Sequence, residues 1–351
     1  MMTTRQYLTQ PLTDDPAAWR GIDMIQQEAQ WTVSLTDTHI AEVDAAMDGV
    51  GLTEKEIYSI QQRDFPLPTL SELLVSLRDE LDGGRGFVRL RGLPAERWGE
   101  AKSRLALWGI GTHLGWAIKQ DKAGSLMHDV RDSGQKFGAN STIRYYETNQ
   151  AIEFHTDGAD AFALFCLQKG RTGGRSLLIS AVGVFNEIAR QRPDLAQVLQ
   201  EDFHVDARGQ RTDGAKCQVI PVYSYFKNEL SIILKMAYIE SAQRFEDVPR
   251  LTETQIEAIA MLKRVMQDPE LTMEFSLEQG DTIIASNHTI LHGRTSFVDD
   301  PANQPVSLES PKRRHMLRLW LTLPNARPLP PHYADTREYA QSYSQRMESE
   351  V

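Results

Sequence analysis

His155 and Asp157 are separated by one residue, and both side chains are of types that bind metal ions. In an extended strand the side chains of residues i and i+2 point to the same face, so an imidazole nitrogen and a carboxylate oxygen can converge on one ion. A third ligand from a distant segment would complete the two-histidine, one-carboxylate set of non-haem Fe(II) oxygenases. The candidate is His292. His288 shares its face if the segment is a strand, and is the alternative ligand or a neighbour of the site.

Two arginines near the end of the chain, Arg314 and Arg318, could bind an anion beside that metal. A three-residue metal site leaves coordination positions open, and a 2-oxo acid can fill two of them through its keto oxygen and C1 carboxylate. The distal carboxylate of the acid then needs a buried cation, for which a forked guanidinium group is suited. If residues 312–320 form a strand, Arg314 and Arg318 share one face with Met316. The pattern therefore predicts an anion inside the folded core.

Four short motifs follow one another in the chain: His155-Thr156-Asp157, Gly173-Gly174-Arg175-Ser176, Asn287 followed by His292-Gly293-Arg294, and Arg313-Arg314 followed by Arg318. In this order and at these spacings they resemble the taurine/2,4-D dioxygenase family, the TauD/TfdA-like Fe(II)/2-oxoglutarate-dependent oxygenases. The resemblance covers roughly residues 85–322. Ser176 stands where the family more often has threonine, which preserves the hydroxyl group. The loop of residues 298–312 lengthens the gap before Arg314, which leaves open which arginine takes which role.

The resemblance implies a role for each motif residue. The residues expected to hold Fe(II) are His155, Asp157 and His292. Ser176 and Arg314 are expected to bind the distal carboxylate of 2-oxoglutarate, while Arg318 is expected to lie near the co-substrate or near an anion of the substrate. Arg294 is interpreted as a solvated or salt-bridged residue next to the site.

The resemblance also implies an activity. The expected enzyme uses Fe(II), 2-oxoglutarate and O2 to hydroxylate an unactivated C–H bond of a small polar molecule, and it releases succinate and CO2. Asp157 argues against a halogenase, because halogenating relatives lack the carboxylate. The same chemistry could instead give desaturation, cyclisation or C–N bond formation, as in secondary metabolism. A non-catalytic jelly-roll binding protein is the alternative from another class.

Candidate substrate contacts surround the metal motif. Arg144 and Tyr146 precede the strand that carries His155, and they are expected on a strand at the mouth of the barrel. Trp116 belongs to an earlier segment that could form the opposite wall, and Asn287 is also a candidate. The alternative for the strand with Arg144 is an ordinary strand with one solvated face.

The surrounding elements read as one oxygenase domain over residues 1–351: an N-terminal helical arm and layer (1–84), a core (85–322) and a C-terminal tail (323–351). Trp19 and Trp31 are expected to anchor the arm. Thr69 to Glu72 has the form of a capping box and leucines follow at helical spacing, which predicts a helix there, and a capping box at Thr252 predicts one that runs to about Met266. Later short strands include 162–167, 176–180 and a hairpin of 219–225 with 230–234. The fold class is mixed α/β with a mainly β core, a double-stranded β-helix of the jelly-roll kind.

Composition limits the partners. The net charge is -10 with no basic run, which argues against nucleic acid as a partner. No apolar segment approaches the length of a membrane span, and the first residues lack the apolar core of a signal peptide. The two cysteines are interpreted as buried thiols of a reducing cytosol. We therefore expect a cytoplasmic protein with a small-molecule substrate, no membrane contact, and homo-oligomerisation left open.

Overall fold

The computed structural model describes residues 6–50, 56–135, 145–209, 211, 213–301, 313–324, 326–336 and 338–349. The helices are Gly21–Gln26, Glu28–Trp31, Asp37–Val50, Leu70–Gly83, Ala95–Leu114, Ala181–Gln191, Pro193–Val198, Met236–Ala242, Glu253–Met266 and Ala340–Ser349. The strands are β1 (Thr32–Ser34), β2 (Phe87–Arg91), β3 (Trp116–Ala117), β4 (Met127–Val130), β5 (Ile152–His155), β6 (Ala161–Gln168), β7 (Thr172–Gly173), β8 (Ser176–Ser180), β9 (Asp202–Asp206), β10 (Cys217–Pro221), β11 (Tyr223–Phe226), β12 (Glu229–Ile232), β13 (Thr272–Phe275), β14 (Thr282–Ser286), β15 (Ile290–Arg294), β16 (Phe297–Val298) and β17 (His315–Thr322).

Strand β17 has both faces covered, and its sequence shows why. Met316 and Trp320 belong to one buried cluster, whereas Leu317 and Leu319 belong to another. Alternate residues of a strand point to opposite faces, so each set packs against a different layer. All eight residues of β17 are buried as a result. The predicted strand is therefore confirmed, with Arg318 on the same face as Met316. Arg314 lies just before its first residue.

Two sheets form the centre of the protein. The larger has the strand order β1-β2-β14-β6-β17-β3, with β4 also paired to β17, and the smaller has the order β13-β8-β15-β5. The pair β1 and β2 is parallel, and the other pairs of these sheets are antiparallel. Phe162 and Trp320 of the larger sheet share one buried cluster with Leu178 and Ile290 of the smaller. The two sheets therefore face each other across a common core.

A helical layer covers the outer face of each sheet. Leu70, Leu74, Leu77 and Leu81 recur at helical spacing along one helix, and all four pack in the core on the outside of the larger sheet. The helix Glu253–Met266 packs with Ala181–Gln191 and Pro193–Val198 on the outside of the smaller sheet. These layers confirm the mixed α/β class with a mainly β core.

Several local predictions agree with the structure and others need correction. Thr252 forms the predicted capping box, whereas the Thr69 hydroxyl donates to Glu42 (2.6 Å) and does not cap its helix. The predicted hairpin divides at residue 222, because β10 pairs with β9 and only β11 pairs with β12. Of the two cysteines, Cys166 is buried and Cys217 is half-buried.

The N-terminal arm is held by aromatic packing. The Trp19 ring lies 5.3 Å from that of Phe87, and the Trp31 ring lies 5.3 Å from that of Phe275, centroid to centroid. Edge-to-face pairs of this kind add to the stabilisation from apolar burial. Both tryptophans are buried, as the arm prediction required. Within the described ranges, no helix combines the length and apolar character needed to cross a membrane.

Candidate metal and co-substrate site

The structure brings His155, Asp157 and His292 together. His155 is the last residue of β5 and pairs directly with His292 of β15. The Nε2 atom of His155 lies 3.9 Å from Asp157 Oδ1, and Nε2 of His292 lies 3.6 Å from Asp157 Oδ2. Potential ligand atoms of the three residues all lie within 4.8 Å of one another. One ion could bind all three at once.

Strand geometry alone does not place Asp157, because β5 ends at His155. The backbone N–H of Asp157 instead donates to Oδ1 of Asn287, at 2.9 Å. Asn287 is fully buried in the turn between β14 and β15, and its own N–H donates to the Asp160 carbonyl. Asn287 was a candidate substrate contact, but it does not line the cavity described below, and it positions the carboxylate.

Charge and hydrogen bonding prepare these groups for a cation. Burial alone would raise the pKa of Asp157, but Arg318 and the two histidines outweigh it and hold that pKa well below the ordinary value. Burial, with the nearby His292, lowers the pKa of His155 to about 3. The neutral imidazole can donate from Nδ1 to the Glu153 carbonyl (2.9 Å), which leaves the Nε2 lone pair for a metal.

The carboxylate of Asp157 is oriented by two donors from β17. Trp320 Nε1 donates to Oδ2 at 2.8 Å, and Arg318 Nη1 lies 3.2 Å from the same oxygen. Arg318 Nε donates to Gln120 Oε1 at 2.9 Å. Its guanidinium carbon lies 5.0 Å from the centroid of the Tyr146 ring. Arg318 thus contacts the candidate metal ligand itself.

A cavity of about 550 Å³ opens onto the three residues, and Ser176 and Arg314 also line it. Arg314 is almost fully buried, and its Nε and Nη1 atoms have no hydrogen-bond partner among the described residues. Burial lowers the pKa of Arg314 to about 10. Because leaving a buried cation unpaired is costly, this guanidinium indicates an anion site.

The two adjacent glycines of the sequence motif make room for Arg314. Gly173 and Gly174 both have positive φ, at 75° and 67°. A Cβ atom on Gly174 would lie 2.9 Å from Cδ and Nε of Arg314. The backbone therefore passes directly against the guanidinium stem, which only glycine allows.

Substituting Gly174 should disturb both the fold and the anion site. We expect Gly174→Ala to cost about 1–3 kcal/mol of unfolding free energy from the positive φ and to weaken 2-oxoglutarate binding by displacing Arg314. Gly209→Ala is the matched control, since Gly209 has φ 63° and an added Cβ would meet no atom within 4 Å. Chemical denaturation and calorimetry would separate the two effects. Equal 2-oxoglutarate affinity in both variants would contradict the contact argument.

Arg294 is a site residue that the sequence interpretation missed. It is 4% exposed, lines the cavity and pairs in register with Ser176 across β15 and β8. Burial and the charge of Arg314 lower the pKa of Arg294 to about 9. The signal was present in the sequence, because Arg294 lies two residues after His292 and hence on the same strand face.

The candidate substrate residues have different outcomes. Tyr146 lines the cavity, but it belongs to the short 3-10 helix Tyr145–Glu147, because the predicted strand does not form there. Arg144 lies outside the described residues. Trp116 is 39% exposed, pairs with Thr322 and does not line the cavity, so the structure does not bring it to the site. Lys235, which the sequence did not indicate, does line the cavity.

Two other histidines have structural partners. His288 Nε2 lies 3.0 Å from Asp160 Oδ1, and His288 does not belong to the group formed by the three candidate ligands. His315 lies with Glu100 and Asp129 in a second group of potential ligands, but Arg104 forms ion pairs with both carboxylates. One guanidinium group therefore already pairs with both carboxylates of that group.

Comparison with known proteins assigns the chain to a family. The profile described as "Taurine catabolism dioxygenase TauD, TfdA family" matches residues 49–320. The chain therefore belongs to this family of Fe(II)/2-oxoglutarate-dependent oxygenases, which are oxidoreductases that use O2.

Individual relatives are more distant. FR-33289 synthase of Streptomyces rubellomurinus (strain ATCC 31215) is 26% identical over 329 residues, which cover 93% of this chain and 94% of the relative. Uridine-5'-phosphate dioxygenase of Streptomyces sp is 26% identical over 178 residues, which cover 47% of this chain and 62% of the relative. The structure of asparagine oxygenase in complex with Fe(II), 2S,3S-3-hydroxyasparagine and succinate is 18% identical, with a TM-score of 0.60, and the match covers 83% of this chain and 94% of that one. That likeness shows the fold.

Proposed function

We propose that this oxygenase hydroxylates an unactivated C–H bond of a small, anion-bearing molecule while converting 2-oxoglutarate to succinate and CO2. His155, Asp157 and His292 would hold Fe(II), and Arg314 with Ser176 would bind the distal carboxylate of 2-oxoglutarate. The observation that carries the proposal is the convergence on one cavity of three ligand side chains and a buried arginine whose Nε and Nη1 atoms have no partner among the described residues. This donor set is typical of non-haem Fe(II) sites.

Iron and 2-oxoglutarate, when bound, supply the oxidising chemistry, and the protein supplies binding, orientation and exclusion of water. Asp157 contributes the negative charge, and the hydrogen bonds from Trp320 and Arg318 fix its orientation. His155 is held in one tautomer by the Glu153 carbonyl. Because these partners are already in place, little side-chain freedom is lost when the metal binds.

The charges around the cavity support an anionic substrate. The lining residues with cationic side chains are Lys235, Arg294, Arg314 and Arg318, and those with carboxylates are Glu153, Asp157 and Glu240. The two positive charges of Fe(II) and the two negative charges of 2-oxoglutarate would cancel. Glu240 is also neutralised by Lys263 outside the cavity. A positive charge remains among the described lining residues, and an anionic group on the substrate would balance it.

Lys235 is the residue that we expect to meet that anion. Its ammonium donates to the carbonyl of Thr156, the residue between two candidate iron ligands. The N–H of the neighbouring Leu234 donates to Thr156 Oγ1 at 3.1 Å, and the N–H of Thr156 donates to the Leu234 carbonyl at 3.2 Å. These bonds hold Lys235 at the part of the cavity wall that carries the candidate metal ligands.

The proposed reaction can be tested by a substrate screen that measures succinate. The purified protein with Fe(II), 2-oxoglutarate and O2 would be offered small carboxylates, phosphates and phosphonates beside their uncharged esters and amides. Only the anions should stimulate succinate release. Mass spectrometry would then distinguish gain of one oxygen atom from loss of two hydrogens, which marks desaturation or cyclisation. No succinate with any compound, or with 2-oxoglutarate alone, would favour a binding protein.

Lys235→Gln should impair substrate binding selectively. We expect the KM for the best anionic substrate to rise roughly 10-fold or more, as for losing a hydrogen-bonded charge partner, while the affinity for 2-oxoglutarate remains that of the wild type. Succinate should also form in excess over product, because a loosely held substrate is poorly aligned. Lys169→Gln is the control, since Lys169 is a surface lysine paired with Glu278. An unchanged substrate KM in Lys235→Gln would exclude this role.

A further inference from the structure

Arg318, one of the buried arginines of the cavity wall, is paired with Asp157, whereas Arg294 and Arg314 keep donors without a partner among the described residues. We propose that Arg294 binds the distal carboxylate of 2-oxoglutarate together with Arg314, and that the pair determines which 2-oxo acids the enzyme accepts. The inference rests on the proposed function, because it assumes that Arg314 marks the co-substrate pocket. It adds to that function a specificity-determining residue that belongs to a sequence motif but has no role assigned by it.

The position of Arg294 follows from strand register. Arg294 lies opposite Ser176 in the antiparallel pair of β15 and β8. Residues that face each other in such a pair project to the same side of the sheet, with Cβ atoms about 4.5–5.5 Å apart. Both residues line the cavity, as does Arg314, which approaches from the larger sheet. The guanidinium carbons of Arg294 and Arg314 lie 4.7 Å and 5.4 Å from the same Phe297 ring centroid.

The hydrogen bonds of Arg294 are only partly satisfied. Its Nη2 atom donates to the carbonyls of Thr148 (2.8 Å) and Gln150 (2.5 Å), which fixes the plane of the guanidinium. Its Nε and Nη1 atoms are buried and have no hydrogen-bond partner within the described chain, and the same two atoms of Arg314 are in the same condition. A buried guanidinium with unused donors requires an acceptor.

The charges point to a carboxylate as that acceptor. No carboxylate of the described residues forms an ion pair with either guanidinium, although Asp132 and Asp299 act on them at longer range; Asp299 accepts the backbone N–H of Arg314. The charge of Arg314 acts unfavourably on the charged form of Arg294, and an anion bound by both would offset that repulsion. A carboxylate has two oxygens and can accept from two guanidinium groups at once. A 2-oxo acid that lacks the distal carboxylate could not balance the charges of the two guanidinium groups.

The test compares two co-substrates in binding, without turnover. Calorimetry in the absence of O2 would measure the affinity of the Mn(II)-loaded protein for 2-oxoglutarate and for pyruvate, which has no distal carboxylate. We expect Arg294→Gln to weaken 2-oxoglutarate binding roughly 10- to 150-fold, as for losing charge-assisted hydrogen bonds, and to leave pyruvate binding unchanged. Arg294→Lys, which keeps the charge, should lose less affinity than Arg294→Gln.

Controls separate this inference from structural damage and from the proposed function. Arg89→Gln removes a buried arginine that is paired with Glu28 and packed on Trp31 away from the cavity, and both affinities should stay at wild-type values. Equal losses for 2-oxoglutarate and pyruvate in Arg294→Gln would show a structural role and overturn the inference. The inference would also be overturned if Arg294→Gln bound 2-oxoglutarate with full affinity while Arg314→Gln bound it weakly. If both variants bind like the wild type, the co-substrate pocket itself is wrongly placed.

Discussion

Asp157→Ala is expected to lose Fe(II) binding and to reduce 2-oxoglutarate turnover by more than about 100-fold, the upper end of what loss of an outer partner of a metal ligand costs. Asp157 would be the single anionic ligand, so its removal takes away both charge and geometry. Fe(II) affinity measured by anaerobic calorimetry, and succinate release measured in parallel, would give the two effects. Full 2-oxoglutarate turnover in this variant would refute the assignment of the three ligands.

A control is needed because Asp157 also balances a buried charge. Arg318 Nη1 lies 3.2 Å from its carboxylate, and removing the carboxylate leaves that guanidinium without an anion. Asp157→Asn keeps the size of the side chain and a polar oxygen near Trp320. Both variants should be compared by thermal unfolding without metal, and only protein that unfolds cooperatively should be assayed. A metal role predicts that both variants lose iron affinity even when stability is preserved.

The parts of the fold that depend on short-range periodicity could be predicted from the sequence. Leucines at helical spacing identified the helix of residues 70–83, and the capping box at Thr252 identified the start of another. The alternation in β17 placed Arg318 on the inner face with Met316. In each case the signal lies within one element, where geometry fixes which side chains point together.

The parts that depend on contacts between distant segments could not be predicted. Asp157 is placed by Asn287, which is 130 residues away in sequence. Lys235 reaches the cavity because Leu234 is clamped to Thr156, a contact across 78 residues. Trp116 was expected at the site and lies elsewhere, since a two-residue pairing with the end of β17 sets its position. No local pattern in the sequence records such long-range pairings.

The family resemblance predicted some site roles and not others. The resemblance gave the iron and co-substrate roles of the motif residues. It left Arg294 as a neighbour of the site because the motif gives that residue no role. Its burial and unused donors emerge only when β15, β8 and residues 148–150 are assembled around it.

Arg314→Ala is expected to raise the apparent KM for 2-oxoglutarate roughly 30- to 5,000-fold, which corresponds to about 2–5 kcal/mol for losing a buried, hydrogen-bonded charge partner. The protein without co-substrate should not be destabilised, because Nε and Nη1 of Arg314 have no hydrogen-bond partner in the described chain. Thermal unfolding therefore separates a loss of 2-oxoglutarate binding from a loss of protein stability. 2-Oxoglutarate should raise the Tm of the metal-loaded wild type, by mass action on the folded state, but not that of the variant.

Arg175→Ala is the matched control for this experiment, because Arg175 belongs to the same glycine-containing motif but is exposed and paired with Glu274. Its KM for 2-oxoglutarate should equal that of the wild type. Added guanidinium ion should partly restore the KM of Arg314→Ala for 2-oxoglutarate and leave that of Arg175→Ala unchanged. Only Arg314→Ala lacks a cation that binds the carboxylate, and the added ion can take its place. An unchanged KM in Arg314→Ala would move the anchoring role to Arg294, Arg318 or Arg313, and alanine variants of these three measured in the same way would then decide among them.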